Sequence, residues 1–328
     1  MRKLASVRKI SELLPIEGAD QIELALVDGW QVVVKKYDFS VGDLAVYFEI
    51  DSWIPYHLAP FLCKGKEPRV FNGVEGERLR TVKLRGQISQ GLLLQIPHDG
   101  SLVEGQDMTE ILGIQLYEKP VPAQLAGLTK GYFPSFLIKT DEERVQNLSS
   151  ELENWKDHKW EVTEKLDGSS MTVYWKDGDF GVCSRNLDLK ESENTFWKVA
   201  KENCLHQLYS SAELGNIAIQ GELIGEGIQG NKYKLKGHQF LVFNIFDIDK
   251  QEYLSKIERD RICNGLGLMQ APQLDVTFVP DVSELLEKAE GYSMLCLGTK
   301  REGLVFKSQT DTSIHFKAIS NSWLLKNE

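Results

Sequence analysis

Residues 164–175 read EKLDGSSMTVYW. An Asp-Gly pair beside an alternating apolar run is an ordinary turn feeding a strand. The same letters hold Lys165-Leu166-Asp167-Gly168, so Lys165 is either a solvated turn residue or an amine held up for chemistry. The chain supplies a control, because Trp175-Lys176-Asp177-Gly178-Asp179-Phe180 lies between two apolar runs and reads as a plain hairpin. Ordinary residue frequencies produce Lys-x-Asp-Gly by chance in about 5–10% of chains of this length. The residues around it have to decide.

Downstream, Ser184-Arg185-Asn186 follows the hairpin. Gln220-Gly221-Glu222-Leu223 ends a strand ahead of the glycine-rich IGEGIQGN, and Phe243-Asn244-Ile245-Phe246-Asp247-Ile248 ends another. Arg301-Glu302-Gly303-Leu304-Val305-Phe306-Lys307 begins a strand, with His315-Phe316-Lys317-Ala318-Ile319-Ser320 close behind. Each alone is explained as a strand end, a core strand or core-then-surface alternation. In this order they resemble the nucleotidyltransferase motifs of the covalent ligase and capping-enzyme superfamily. Motif I is Lys165–Gly168, motif III Gly221–Leu223, motif IIIa Phe246–Ile248, motif IV Glu302–Lys307, and motif V centres on Lys317. The resemblance covers roughly residues 135–328.

The resemblance implies that Lys165 attacks the α-phosphate of ATP to give a lysyl–AMP phosphoramidate. Burial and the cations Lys307 and Lys317 are expected to lower its pKa, as is an arriving metal. Asp167, Glu222 and Glu302 are the implied shell for Mg²⁺ or Mn²⁺, directly or through water, with Glu222 alternatively on the ribose hydroxyls. Lys317 completes the implied catalytic set. Phe246 is implied to stack on the base, Val305 to form the opposite wall, and Glu164 to read the base edge. Arg185 is implied to contact the ribose or the 3′-OH end. Motif V departs from the two-lysine form of many relatives: His315 stands where a first phosphate-binding lysine would be, and Lys307 is the alternative.

DNA ligases and capping enzymes typically carry an OB domain and a basic motif VI after motif V, whereas 11 residues follow Lys317 here. The arrangement resembles ATP-dependent RNA ligases with an OB module in front. Residues 139–147, KTDEERVQN, look like the segment that precedes motif I in RNA ligases, although a capped, charged helix start explains them equally. With motif VI missing, Arg144 is the candidate cation for the pyrophosphate. The implied reaction seals 3′-OH/5′-phosphate breaks, chiefly nicks with an RNA strand on the 3′-OH side. The alternatives are a DNA ligase, a GTP-using capping enzyme, or an inactive RNA-binding protein on this fold.

Residues 1–100 support the barrel. QIELALVDGWQVVVKK is two alternating runs around Asp28-Gly29, and VGDLAVYFEI, RLRTVKLRG and GLLLQIP supply further strands. Short strands at this spacing suggest a five-stranded OB barrel. The expected architecture is therefore an all-β OB domain (1–100), a connecting segment (101–134) and an α+β domain with antiparallel sheets (135–328). The break at His98-Asp99-Gly100 and the stretch EKPVPAQLAG mark the connection. Helices are expected in NTFWKVAKENCLHQL, SKIERDRICNGLGL and VSELLEKAEGYSML.

The net charge of −10 argues against a generic nucleic-acid coat. Residues 1–100 nevertheless balance 13 Lys+Arg against 13 Asp+Glu, and Lys64, Lys66, Arg69, Arg78, Arg80, Lys83 and Arg85 are a candidate track for an RNA backbone. Five widely spaced cysteines with no C-x-x-C pair point away from a disulfide framework or zinc site, and towards a reducing compartment such as the cytoplasm. No apolar run approaches a membrane span. A monomer is expected.

Overall fold

The computed structural model describes residues 3–96, 102–118, 127–205, 207 and 214–327. The break at His98–Gly100, most of EKPVPAQLAG and the end of the 194–208 segment lie outside them.

Alternation builds the N-terminal barrel. Ile22–Val27 and Trp30–Lys35 pair across the two-residue turn Asp28-Gly29, as their apolar pattern predicts. Ala5–Lys9, Leu44–Phe48 and Leu92–Leu94 form a second sheet with Leu44–Phe48 at its centre. That strand is buried on both faces: Val46 and Phe48 pack with Val7 and Ile54, while Ala45 and Tyr47 pack with Trp30 and Val32. It therefore reads as a continuous apolar run. Ser52–Pro55, Val74–Arg78 and Arg69–Phe71 make a third sheet, and Val82–Leu84 with Gln87–Ser89 a projecting hairpin.

The barrel does not end at residue 100. Gln115–Leu116 pairs with Ser52–Pro55, and Met108 and Ile114 are buried in the barrel core. On the far side, Thr129–Tyr132 pairs with Leu187–Leu189 in the catalytic domain. Most of the expected 101–134 connection is thus structured, because its apolar residues cover barrel strands that would otherwise be open edges.

The second domain holds two sheets. The larger runs in the order Thr129–Tyr132, Leu187–Leu189, Asp179–Cys183, Ser169–Lys176, Ile217–Gly225, His238–Asp247, Glu252–Tyr253, all antiparallel. The smaller runs Glu143–Arg144, His315–Ile319, Gly303–Ser308, Trp160–Lys165, and its first pair is parallel. The helix Thr195–Glu202 covers one face of the large sheet, with Trp197 and Val199 in its core; the helix Val282–Ala289 covers the small one through Leu285 and Ala289. This last helix stops at Ala289 rather than reaching Leu295, because Arg301 takes up the carbonyls of Lys288, Ala289 and Glu290. KTDEERVQN starts no α-helix; it forms the short strand Glu143–Arg144 and a 3₁₀ turn, Val145–Leu148. The expected helix Lys256–Leu266 has its Ser255/Glu258 capping box, and a further helix, Asn321–Asn327, ends the described chain. No helix of the described residues is long and apolar enough to cross a membrane.

The two domains are docked. The Trp30 Nε1–H donates to Asn147 Oδ1 at 2.6 Å, and Ile50 is buried against Ile319 and Leu324.

Candidate active site

Trp160–Lys165 belongs to the small sheet and Ser169–Lys176 to the large one. Leu166-Asp167-Gly168 therefore carries the chain between sheets and is no hairpin turn. Lys176-Asp177-Gly178-Asp179 is one: Lys176 pairs with Asp179, and both turn residues have positive φ. Gly168 is needed for proximity rather than conformation. A Cβ there would lie 2.5 Å from the Leu223 carbonyl and 2.9 Å from Glu222 Cγ, so motif I packs directly on motif III.

Lys165 Nζ lies 2.9 Å from Glu302 Oε1. Lys165 pairs in register with Gly303, and Ser170 with Glu222, so the crossing brings motifs III and IV to the same amine. Burial alone would favour the neutral amine, but Glu302 and Glu222 outweigh it and raise the Lys165 pKa. The expected lowering by neighbouring cations is thus not what the protein has without ATP or metal: the two carboxylates outweigh Arg185, the cation that opposes them. Burial, opposed by Lys165 and aided by Glu302 and Asp167, pushes Glu222 up to about 8. Glu302 is raised for the same reason.

Asp167 is held twice by one loop. Its side chain pairs with Lys232, and its N–H donates to the Tyr233 hydroxyl at 2.7 Å. Lys232 also lies 4.8 Å over the Trp323 ring and bonds Asn327, tying the last helix to motif I. Neither residue stood out in the sequence, since nothing in the spacing shows that the glycine-rich loop folds back. Among the described residues no three carboxylate, His or Cys side chains converge closely enough to cage a metal. Asp167, Glu222 and Glu302 nonetheless offer the hard oxygen donors of Mg²⁺ or Mn²⁺, and Glu302 and Asp167 crowd the half-buried Glu222 with like charge that a cation would relieve. That combination fits an ion that keeps much of its water.

Lys317 is 8% exposed and donates to Asp141 Oδ1 at 2.9 Å. Asp141, also missed, reaches Arg185 at 3.7 Å. His315 pairs with the half-buried Glu142 and stands edge-on to Tyr253, as a strand residue with a partner. Lys307 does not reach Lys165. It pairs in register with Glu161, and its Nζ bonds the Phe243 carbonyl and Asn244. Burial, with Arg259 nearby, pushes Lys307 down to about 8.

Phe246 has no face for a base. It is 0% exposed, enclosed by Leu137, Tyr174, Cys183 and Tyr253. Three residues earlier on the same strand, Phe243 is half-buried and packs toward Leu166 and Leu295. Val305 is half-buried between Thr163 and Lys317. Glu164 Oε2 accepts from the Met294 N–H at 2.8 Å, whereas its buried Oε1 has no partner. Arg144 is 5% exposed; one nitrogen donates to Asp51 Oδ2 at 3.2 Å, and Nε and Nη1 have no partner.

The barrel cations do not form one free track. Arg78 is bound to Asp51 with its guanidinium 5.2 Å over Tyr117, and Arg69 is paired with Glu77. Arg80 is half-buried, while Lys64, Lys66, Lys83 and Arg85 are exposed.

A lysine seated among carboxylates where two sheets meet, behind an N-terminal barrel, defines a covalent nucleotidyltransferase. A family model described as RNA ligase matches residues 158–321, and an OB-fold domain model matches residues 4–96. Solved structures of the RNA ligase of Naegleria gruberi are similar throughout. A point mutant without ligand and a complex with pyrophosphate are each 46% identical with a TM-score of 0.91, covering 99% of this chain and 98% and 99% of theirs. A complex of a point mutant with ATP and Mn is also 46% identical, with a TM-score of 0.90 and 99% of both chains covered. No match arises among curated proteins. The chain belongs to the RNA ligase family.

Proposed function

We infer that this protein is an ATP-dependent RNA ligase that seals 3′-OH/5′-phosphate breaks, chiefly nicks whose 3′-OH strand is RNA. The observation that carries this reading is Lys165 Nζ at 2.9 Å from Glu302, where the two sheets meet beside Glu222 and Asp167. The complexes of the Naegleria relative with ATP, Mn and pyrophosphate support it.

The Lys165 amine forms a P–N bond to the α-phosphate as the bond to pyrophosphate breaks. Before attack the ammonium passes its proton to Glu302 Oε1, 2.9 Å away, a carboxylate whose pKa burial raises. Asp167, Glu222 and Glu302 would hold the Mg²⁺ or Mn²⁺, whose chemistry is to neutralise phosphate charge and offset the carboxylates around the amine. Lys317 and the two unpartnered donors of Arg144 take phosphate oxygens, with Arg144 on the pyrophosphate side. Arg185 lies at the exposed rim, for the ribose or the 3′-OH end. AMP then passes to the 5′-phosphate, freeing Lys165, and the 3′-OH displaces AMP to close the backbone.

Phe243 and Val305 are the walls for the base, in place of Phe246. Glu164 Oε1 is a buried acceptor that the adenine 6-amino group satisfies and the guanine carbonyl does not. Glu164→Ala is therefore expected to narrow the preference for ATP over GTP by about tenfold in protein labelling. An unchanged ratio would remove Glu164 from base reading.

Lys83 and Arg85, on the projecting hairpin, together with Lys64 and Lys66, are the cations left for the RNA backbone. Sealing should weaken as salt rises. Switching the 3′-OH strand of a nicked duplex from RNA to DNA is expected to slow sealing at least about tenfold, because a site built to bond the 2′-OH is left unpaired. Equal rates would point to a DNA ligase. The protein acts as a monomer in the cytoplasm, a setting that suits five unpaired cysteines.

A further inference from the structure

We propose that Asp51, a residue of the barrel, is a positioning residue for the adenylation step. This rests on the reading of Arg144 as the cation for pyrophosphate.

Arg144 pairs with Lys317 in the parallel ladder between Glu143–Arg144 and His315–Ile319. Residues paired across a ladder send their side chains to the same face, so Arg144 emerges beside the motif V lysine. Its guanidinium is buried, and Asp51 Oδ2, at 3.2 Å, is the acceptor that holds it. A purely structural buried arginine uses its donor fork up on carboxylates and carbonyls. Here Nε and Nη1 remain without partners, oriented by a carboxylate and ready for an oxyanion.

Asp51 is itself fixed. Its N–H donates to the Leu79 carbonyl at 2.9 Å, and its carbonyl accepts from the Tyr117 N–H at 2.8 Å. Oδ1 accepts from Arg78 Nε at 3.2 Å, and Arg78 lies over Tyr117. The preceding residue, Ile50, is buried against Ile319, two residues beyond Lys317. The carboxylate therefore stands on a rigid corner of the barrel, inserted next to motif V. A second barrel carboxylate, Glu49, bonds Asn147 in the same segment.

The test separates steps that use pyrophosphate from the step that does not. For Asp51→Ala, and for the milder Asp51→Asn, the KM for ATP in single-turnover adenylation should rise about tenfold and about threefold. The KM for inorganic pyrophosphate in reversal of the isolated lysyl-AMP enzyme should rise in parallel. Sealing of a nick that already carries AMP should stay within twofold. The double variant with Arg144→Ala should be no worse than Arg144→Ala alone. If the pyrophosphate KM is unchanged, or adenylation and sealing fall together in both Asp51 variants, Asp51 only holds the domains and the proposal is overturned. If Arg144→Ala itself adenylates normally, the reading of Arg144 fails and this proposal with it.

Discussion

Lys165→Ala is expected to lower transfer of label from α-labelled ATP to the protein by at least about 10⁴-fold, as removal of a covalent nucleophile does elsewhere. The competing amines show why. Lys307 is the lysine whose pKa falls, to about 8, so basicity alone would choose it. Its amine is committed to the Phe243 carbonyl and Asn244, facing Glu161 across the ladder. Lys232 pairs with Asp167, and Lys176 is in the exposed hairpin. Lys165 is the amine that Glu302 and Glu222 hold at the meeting of the sheets. The same variant should still join a nick that already carries AMP at a rate within about tenfold of the unsubstituted protein, since that step needs no lysine nucleophile. Labelling of Lys165→Ala on Lys307, or normal sealing from ATP, would sink the assignment.

Motif order singled out Lys165, Asp167, Glu222, Glu302 and Lys317, which the structure brings together, because each motif closes or opens a strand whose alternation is visible in the sequence. Side-chain direction was less visible. Phe246 and Phe243 are both aromatic on one strand, and only the packing shows that Phe246 is enclosed while Phe243, the extra residue at the shift in register opposite Gln220/Gly221, stays half-buried. Contacts made by loops on return were invisible. Tyr233 meets motif I from 66 residues away, and Asp51 meets Arg144 from 93. The 102–118 segment has too few apolar residues in period to announce its strand, so its place on the barrel appears only in the packing of Met108 and Ile114. The raised pKa of Lys165 in the protein without ATP or metal is hidden from the sequence for a related reason. Spacing names the charged groups but not the distances that make two carboxylates prevail over burial.

Gly168→Ala and Gly178→Ala add the same methyl to two Asp-Gly pairs and should fail in different ways. At Gly178 φ is +90° and nothing lies within 4 Å of a built Cβ. The added methyl strains the backbone by about 1–2 kcal/mol, so Tm falls by a few degrees and labelling by ATP is unchanged. At Gly168 the backbone is outside the left-handed region, but the Cβ would meet Leu223 O at 2.5 Å, Ile224 Cγ2 at 2.7 Å and Glu222 Cγ at 2.9 Å. Two of those atoms belong to strand residues bonded on both sides by the large sheet, so they yield little and motif I must move instead. A shift near 1 Å between Lys165 and Glu222 costs about 10²-fold in adenylation. Single-turnover labelling of the two variants, with thermal melts of each, tests this. Equal loss of labelling in both would mean that contact with motif III does not position the lysine.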